Sequence, residues 1–364
     1  FGAFIDLPKL HLPLGVSFYT FHAISYLVDV YRQKTPPQKN LLRLGLYLAL
    51  FPKLVMGPIV PYHELEPALA QRTIDAQDVS DGCFRFTIGL AKKALLADAL
   101  AGLVTGIWGD LASLTVLSAW LGLIGYALQL YFDFSGYSDM AIGLGRMLGF
   151  RFPENFRYPY LCSSISDFWR RWHISLGSWF KEYLYFPLGG SRTGTLRTLR
   201  NLLLVWLATG LWHGASWNYV LWGLYFGVLI CLEKLLAPRF WAHPRKGLLA
   251  GLYRPVCLLL AVLGWVLFRA EDLPAAGRYF ACLFGGAAGA SAQARLYLHD
   301  FWPVLLLGAV GATPLCAKLA GRLGAKLQPG VRAAVQAVLV LALLACSTVW
   351  LLNGSFQSFV YFQF

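Results

Sequence analysis

The chain has 364 residues, 57% of them hydrophobic and only 13% charged, with a mean hydropathy of +0.55. This composition excludes a soluble globular protein and defines an integral membrane protein. The formal net charge of +13 does not require nucleic acid as a partner, because a basic excess in a membrane protein is first explained by cytoplasmic loops rich in Lys and Arg. Apolar runs of spanning length recur from end to end, so residues 1–364 are expected to form one membrane-embedded all-α domain, a polytopic helical bundle. The seven cysteines are scattered, with Cys83, Cys231, Cys257, Cys282 and Cys346 in apolar runs. Their spacing offers neither a disulfide framework nor a metal site. The sequence opens on Phe1 without an initiator Met or a signal peptide, and it reads as a fragment lacking N-terminal helices.

In chain order, residues 12–31 are apolar but broken by Pro13 and Gly15, a first full or partial span. Arg32, Lys34, Lys39 and Arg43 follow and place the next loop in the cytoplasm. Residues 44–60 contain Pro52, Lys53, Gly57 and Pro58, the pattern of a kinked or re-entrant element whose freed backbone groups must be satisfied inside protein. The loop 61–81 carries Glu64, Glu66, Asp75, Asp78 and Asp81 against Arg72, an acidic balance expected on the outer face. Residues 84–108 are apolar yet hold Lys92, Lys93 and Asp98, which lipid does not accept unshielded, so their number of crossings stays open. Residues 111–134 form a clear span. The polar stretch 135–200 follows, rich in cations from Arg146 to Arg200 and therefore expected in the cytoplasm.

Within that stretch, residues 167–190 (DFWRRWHISLGSWFKEYLYFPLGG) mix aromatics with cations, as helices at an interface or a cavity mouth do. Plain interfacial anchoring is the simpler account of the tryptophans. Next come two apolar runs, 199–212 and 217–232, separated by a short break after His213. The first offers roughly 20 Å of helix against a hydrocarbon core of about 30 Å. The pair therefore reads as a hairpin with His213 near its tip, at membrane depth. An ionisable side chain there is costly unless it faces a polar cavity or partner; a histidine buried for packing is the alternative. Lys234, Arg239, Arg245 and Lys246 mark a return to the cytoplasm. Residues 248–268 span outward, 297–316 return to a basic loop (Lys318, Arg322, Lys326, Arg332), and 333–352 span outward again, leaving 353–364 outside.

Five ordered blocks resemble the membrane-bound O-acyltransferase family, in particular its bacterial branch of alginate and peptidoglycan O-acetylation subunits. They are LPLGVSFYTFHAISYLVDVYR (12–32), QLYFDFSGYSDMAIGLGRMLGFRFPENF (129–156), SDFWRRWHISLGSWFKEYLYFPLGG (166–190), GLWHGASWNYVLWGLYFG (210–227) and FVYFQF (359–364). Members ordinarily begin with additional helices that would precede Phe1. The resemblance implies a helical bundle with a central cavity or tunnel in the bacterial inner membrane. It also implies transfer of an acyl group, acetyl in the first place, from a cytoplasmic thioester such as acetyl-CoA across the bilayer. An SGNH-type partner on the outer side would then place it on a polysaccharide hydroxyl. By the same resemblance the family's invariant histidine falls on His213 and a second one on His173, and Tyr361 lies in a C-terminal motif proposed to carry the acyl group.

The residue types suit that chemistry. A histidine, with an ordinary pKa near 6.5, can take the hydroxyl proton, and a phenol can serve as covalent carrier, splitting one transfer into two. His213 is the expected base, and His173 either polarises the thioester carbonyl, orients the donor or merely lines the cavity wall. Asp167 and Asn218 are weaker candidates for orienting these groups. Coenzyme A carries phosphates, so cations are expected at the cavity mouth, and Arg170, Arg171, Lys181 and Arg192 are the nearest in sequence. Two rivals remain at this stage: a transporter using His213 as a substrate or proton site, and an acyltransferase acting directly on a lipid or lipid-linked acceptor. No internal repeat favours the first, and the aromatic tail speaks against the second.

Overall fold

A computed structural model describes residues 15–192, 194–240, 248–354 and 359. Among these the chain is all-α, without a strand. The helices are α1 (Val16–Tyr31), α2 (Leu41–Ala49), α3 (Phe51–Leu54), α4 (Tyr62–Ala70), α5 (Ala76–Ala91), α6 (Asp98–Trp108), α7 (Val116–Met147), α8 (Ile165–Trp169) and α9 (Ile174–Phe180). They continue as α10 (Thr195–His213), α11 (Trp217–Phe240), α12 (Leu248–Arg269), α13 (Leu273–Leu283), α14 (Ala292–Gly311), α15 (Leu315–Gly324) and α16 (Pro329–Asn353). α7, Trp217–Leu236 of α11, Gly251–Arg269 of α12 and α16 are long and apolar enough to cross a membrane; α14 and α15 qualify only as a pair bent by 67°. The chain is a multi-pass membrane protein.

The centre is α7, which packs antiparallel against a continuous rod made of α5, a π-helical turn (Lys92–Ala97) and α6. Glycines bring the backbones together: a Cβ at Gly89 would stand 2.5 Å from the Gly136 carbonyl oxygen, and one at Gly143 2.6 Å from that of Gly82. Small residues allow such approach where lipid supplies no hydrophobic driving force. α7 also corrects the expected boundary at residue 134, because it runs on to Met147. Its polar residues face protein. Asp139 pairs with Arg85 (2.6 Å) and Lys92 (2.6 Å) of the rod, and Ser138 accepts from Asn155. What resembles a loop in composition is the interior face of a long helix.

The cations of residues 84–108 are shielded in the same way. A π turn brings residues five apart onto one side, and here Lys93 Nζ lies 2.7 Å from Asp98 and 2.7 Å from Asp133 of α7, with all three side chains at most 7% exposed. The rod is one element, with the ionic cluster turned inward.

Two further expectations change. The acidic segment 61–81 lies on the same face as the basic loops, not opposite them: His63 pairs with Asp29 at 2.7 Å, Asp78 with Arg146 and Arg151, and Asp81 with Arg146 at 2.6 Å. Its acidic balance reflects local ion pairing, which overrides a count of charges. Residues 44–60 form a kinked element, α2 giving way to the short α3. The segment descends beside α1 until Leu54 meets Gly15, where φ is +76° and a Cβ would sit 2.3 Å from the Leu54 carbonyl oxygen. It then returns, with the Val60 N–H donating to His22 Nε2 and the Ile59 N–H to Ser175 Oγ. Lys318 and Arg322, expected in a loop, sit on α15. α13 was not anticipated; it stacks Tyr279 on Trp108 at 4.0 Å and donates from Tyr279 to the Ala119 carbonyl.

Candidate active site

The block 163–175 is short, aromatic and tied from several sides. Ser164 caps α8 through the Asp167 N–H. From α11, Glu233 accepts from the Ile165 and Ser166 N–H groups, from the Ser166 hydroxyl and from Tyr253. Trp172 is buried between Phe156, Phe168 and Trp265. These contacts carry the chain inward to His173, which is 2% exposed and stands at φ 45°, ψ 54°, a left-handed conformation unfavourable for a residue with a Cβ and found chiefly where surrounding structure enforces it. Phe134 meets its ring edge-on at 4.6 Å. That contact lies 13 residues before the end of α7, hence about 20 Å along the helix from the Arg146 face. His173 is thus deep in the bundle, although residues 135–200 were expected in the cytoplasm.

His213 ends α10, and the expected hairpin is present. Gly210 and Gly223 let its two legs touch: a Cβ at Gly210 would lie 2.4 Å from the Tyr219 carbonyl oxygen, and one at Gly223 2.4 Å from that of Trp206. The His213 ring is enclosed by Trp212 (4.6 Å), Trp222 (5.0 Å) and Phe268 (5.1 Å). Phe18 lies between the two sites, 6.4 Å from His173 and 5.7 Å from Trp212. Through Phe18 the block of His173 and the Trp212–His213 end of α10, 40 positions apart in the chain, come together.

A cavity of about 420 Å³ opens beside His173, lined by Arg170, His173 and Lys181 on one wall and by Leu202, Trp206 and Thr209 of α10 on the other; His213 is not part of its lining. Thr209 stands one turn before His213 on the same helix face. Lys181 has its ammonium 5.6 Å from the Phe186 ring and no carboxylate within salt-bridge distance among the described residues. It also borders a second cavity of about 320 Å³ on the other side of α9, with Lys34, His63, Glu64 and Glu182. In its lining, Lys34 bonds to Glu182 at 2.6 Å and holds that carboxyl below the ordinary glutamate range.

The remaining sequence candidates separate. Arg170 and Arg171 both pair with Asp167, at 3.4 and 3.0 Å. Arg170 still borders the cavity, whereas Arg171 and Arg192 do not line it. Asp167 is occupied by these arginines and Ser163, and Asn218 donates to the Ala270 carbonyl. Tyr361 lies outside the described residues. Phe359, two positions earlier, packs edge-on against Tyr137 at 5.1 Å and under the Lys93 ammonium at 4.7 Å. Asn155 and Glu233 were missed. Asn155 lies in the block 129–156 without chemistry that would single it out, Glu233 lies in no block, and only the fold brings them to the histidine block.

A helical membrane bundle with one histidine on a cavity wall and a second at the end of the helix that forms the facing wall defines a class, and comparison identifies it: residues 36–246 match the model of the membrane-bound O-acyltransferase family, and the chain belongs to that family. Among characterised relatives it is 48% identical to "Probable alginate O-acetylase AlgI" of Pseudomonas fluorescens, over 76% of this chain and 55% of that protein. It is 38% identical to the peptidoglycan O-acetyltransferase of Helicobacter pylori, over 73% and 56%, and 29% identical to the teichoic acid D-alanyltransferase of Bacillus subtilis, over 73% and 71%. The chain spans little more than half the length of the first two.

Proposed function

We propose that this chain holds the transfer centre of a bacterial inner-membrane O-acyltransferase. It moves an acyl group, acetyl in the first place, from a cytoplasmic thioester such as acetyl-CoA towards O-acetylation of an extracytoplasmic cell-wall or exopolysaccharide, with an SGNH-type protein as outer partner. The observation that carries this reading is a cavity whose wall bears His173, Arg170 and Lys181 and, facing them, Thr209, one turn before His213 on α10. The two cations suit the phosphates of a coenzyme A donor, with Lys181 free of any carboxylate among the described residues. His213 takes the proton of the attacking hydroxyl as its oxygen bonds to the thioester carbon; the carbon–sulfur bond then breaks and the proton passes to the departing thiolate. Tyr361 is the acyl carrier in this scheme. Phe359, two positions before Tyr361 in the sequence, packs on Tyr137, on the face of α7 that also presents Phe134 to His173.

Proteoliposomes supplied with acetyl-CoA labelled in the acetyl group test the scheme. Thiol release and label on Tyr361, located by mass spectrometry, are expected. His213→Ala should remain folded and lose about 100-fold or more of the transfer. Near-normal transfer by a well-expressed His213→Ala variant would overturn the base assignment. Label reaching acceptor in Tyr361→Phe at the wild-type rate would remove the carrier role.

A further inference from the structure

We infer that Asn155 is a positioning residue that fixes His173 as the Nδ1–H tautomer, presenting Nε2 to the transfer site as a proton acceptor. The inference rests on the reading that His173 belongs to that site and narrows what it does there. Asn155 is fully buried, and its amide orientation is set by groups of unambiguous polarity. The Ser175 backbone N–H, which can only donate, lies 3.1 Å from Oδ1. The Ser175 hydroxyl already accepts from the Ile59 N–H at 3.0 Å, so its own proton goes to the same Oδ1, also at 3.0 Å. On the other side of the amide, Nδ2 donates to Ser138 Oγ at 3.1 Å. The atom facing His173 Nδ1, at 3.2 Å, is therefore an oxygen.

A carboxamide oxygen cannot donate, so Nδ1 carries the hydrogen and the neutral ring keeps its lone pair on Nε2. That nitrogen is buried and has no hydrogen-bond partner among the described residues. A buried, unpartnered ring nitrogen in a native structure calls for an explanation, and here His173 lines the cavity. In this tautomer Nε2 accepts a hydrogen bond or a proton. It cannot donate to a thioester carbonyl, so polarisation of that carbonyl must come from other groups. The left-handed backbone at His173 and the bond from the Ile174 N–H to the Asn155 carbonyl, 3.0 Å, hold the ring and its partner as one unit.

The test combines a spectroscopic readout with kinetics. In protein labelled with 15N-histidine, the His173 resonances, assigned by their loss in His173→Gln, should show a protonated Nδ1 and a bare Nε2. Asn155→Leu removes the acceptor at similar volume; it should change that tautomer pattern and lower kcat about 100-fold, with KM for the donor changing less. Asn155→Asp keeps an acceptor oxygen and should restore activity to within about tenfold of wild type. Ser138→Ala removes only the bond on the far side of the amide and should leave kcat within about threefold. An Nε2–H tautomer in the wild type, or Asn155→Leu with unchanged kcat and tautomer, would overturn the proposal. Should the wild-type protein transfer no acyl group, the functional reading fails, and the nitrogen spectra still decide the role of Asn155.

Discussion

α7 and α16 both meet the length and hydropathy requirements for crossing a bilayer, yet their surroundings are opposite: 72% of the apolar window of α7 is buried in protein, against 6% for α16. The less apolar helix is the central one. α7 carries Asp133, Ser135, Ser138 and Asp139 on buried positions and glycines where α5 crosses it, features that only protein neighbours can accommodate. α16 presents Val335, Val338 and Leu341 outward and buries only Ser347 among its described side chains, as suits a helix whose neighbour on most sides is lipid. In this bundle polar and small residues mark the interior, and uniform apolarity marks the periphery.

The contrast can be broken most severely at its ionic centre. Lys93→Leu keeps the volume but leaves Asp98 and Asp133 without their shared cation, and loss of one partner from a buried ion cluster costs about 3–5 kcal/mol. The variant should fail to give a monodisperse peak by size exclusion in detergent; a normal peak and melting temperature would show that the cluster is not structural. At the cavity the expected effect is on binding. Lys181→Ala removes a cation free to contact phosphate, and KM for acetyl-CoA should rise about tenfold with kcat little changed. An acetyl donor lacking the nucleotide phosphates should not feel the change. An equal loss with both donors would place Lys181 elsewhere in the reaction.

A smaller effect belongs to the tie between the end of α1 and the π turn after α9. Lys34 holds Glu182 below its ordinary value of 4.5. Since the folded value is the depressed one, this contribution to stability is fully present above that ordinary value and fades as pH falls through the lower folded value. Thermal melts of Glu182→Gln and wild type should therefore differ at pH 7 and converge in acid; a constant difference would refute the linkage. Least affected should be the lipid-facing side. Val338→Ala on α16 is expected within about 0.5 kcal/mol of wild type by the same melts, and a large loss there would mean that α16 packs against protein in the assembled enzyme.

Much of this was legible in the residues. The all-α membrane class follows from apolar run lengths, the hairpin from the short break after His213, and the kinked element from Pro52, Gly57 and Pro58, because lipid leaves the backbone few options. Less was legible wherever polarity had two explanations. Ser138 and Asp139 resembled a loop until Arg85, Lys92 and Asn155 were found facing them, and the acids of 61–81 resembled an outer face until Arg146 and Arg151 were found paired with Asp78 and Asp81.

The sequence by itself determined the membrane habit and the family and pointed to two histidines, all of which rest on local pattern: run length, residue type and short ordered motifs. Only the tertiary structure decided that α7 is the core and α16 its margin, that Arg171 serves Asp167 while Lys181 has no carboxylate partner among the described residues, and that Asn155 faces the His173 ring. Each of these depends on which polar group faces which across helices distant in the chain. Hydropathy does not encode that pairing, and the energetics of a buried hydrogen bond depend on it entirely.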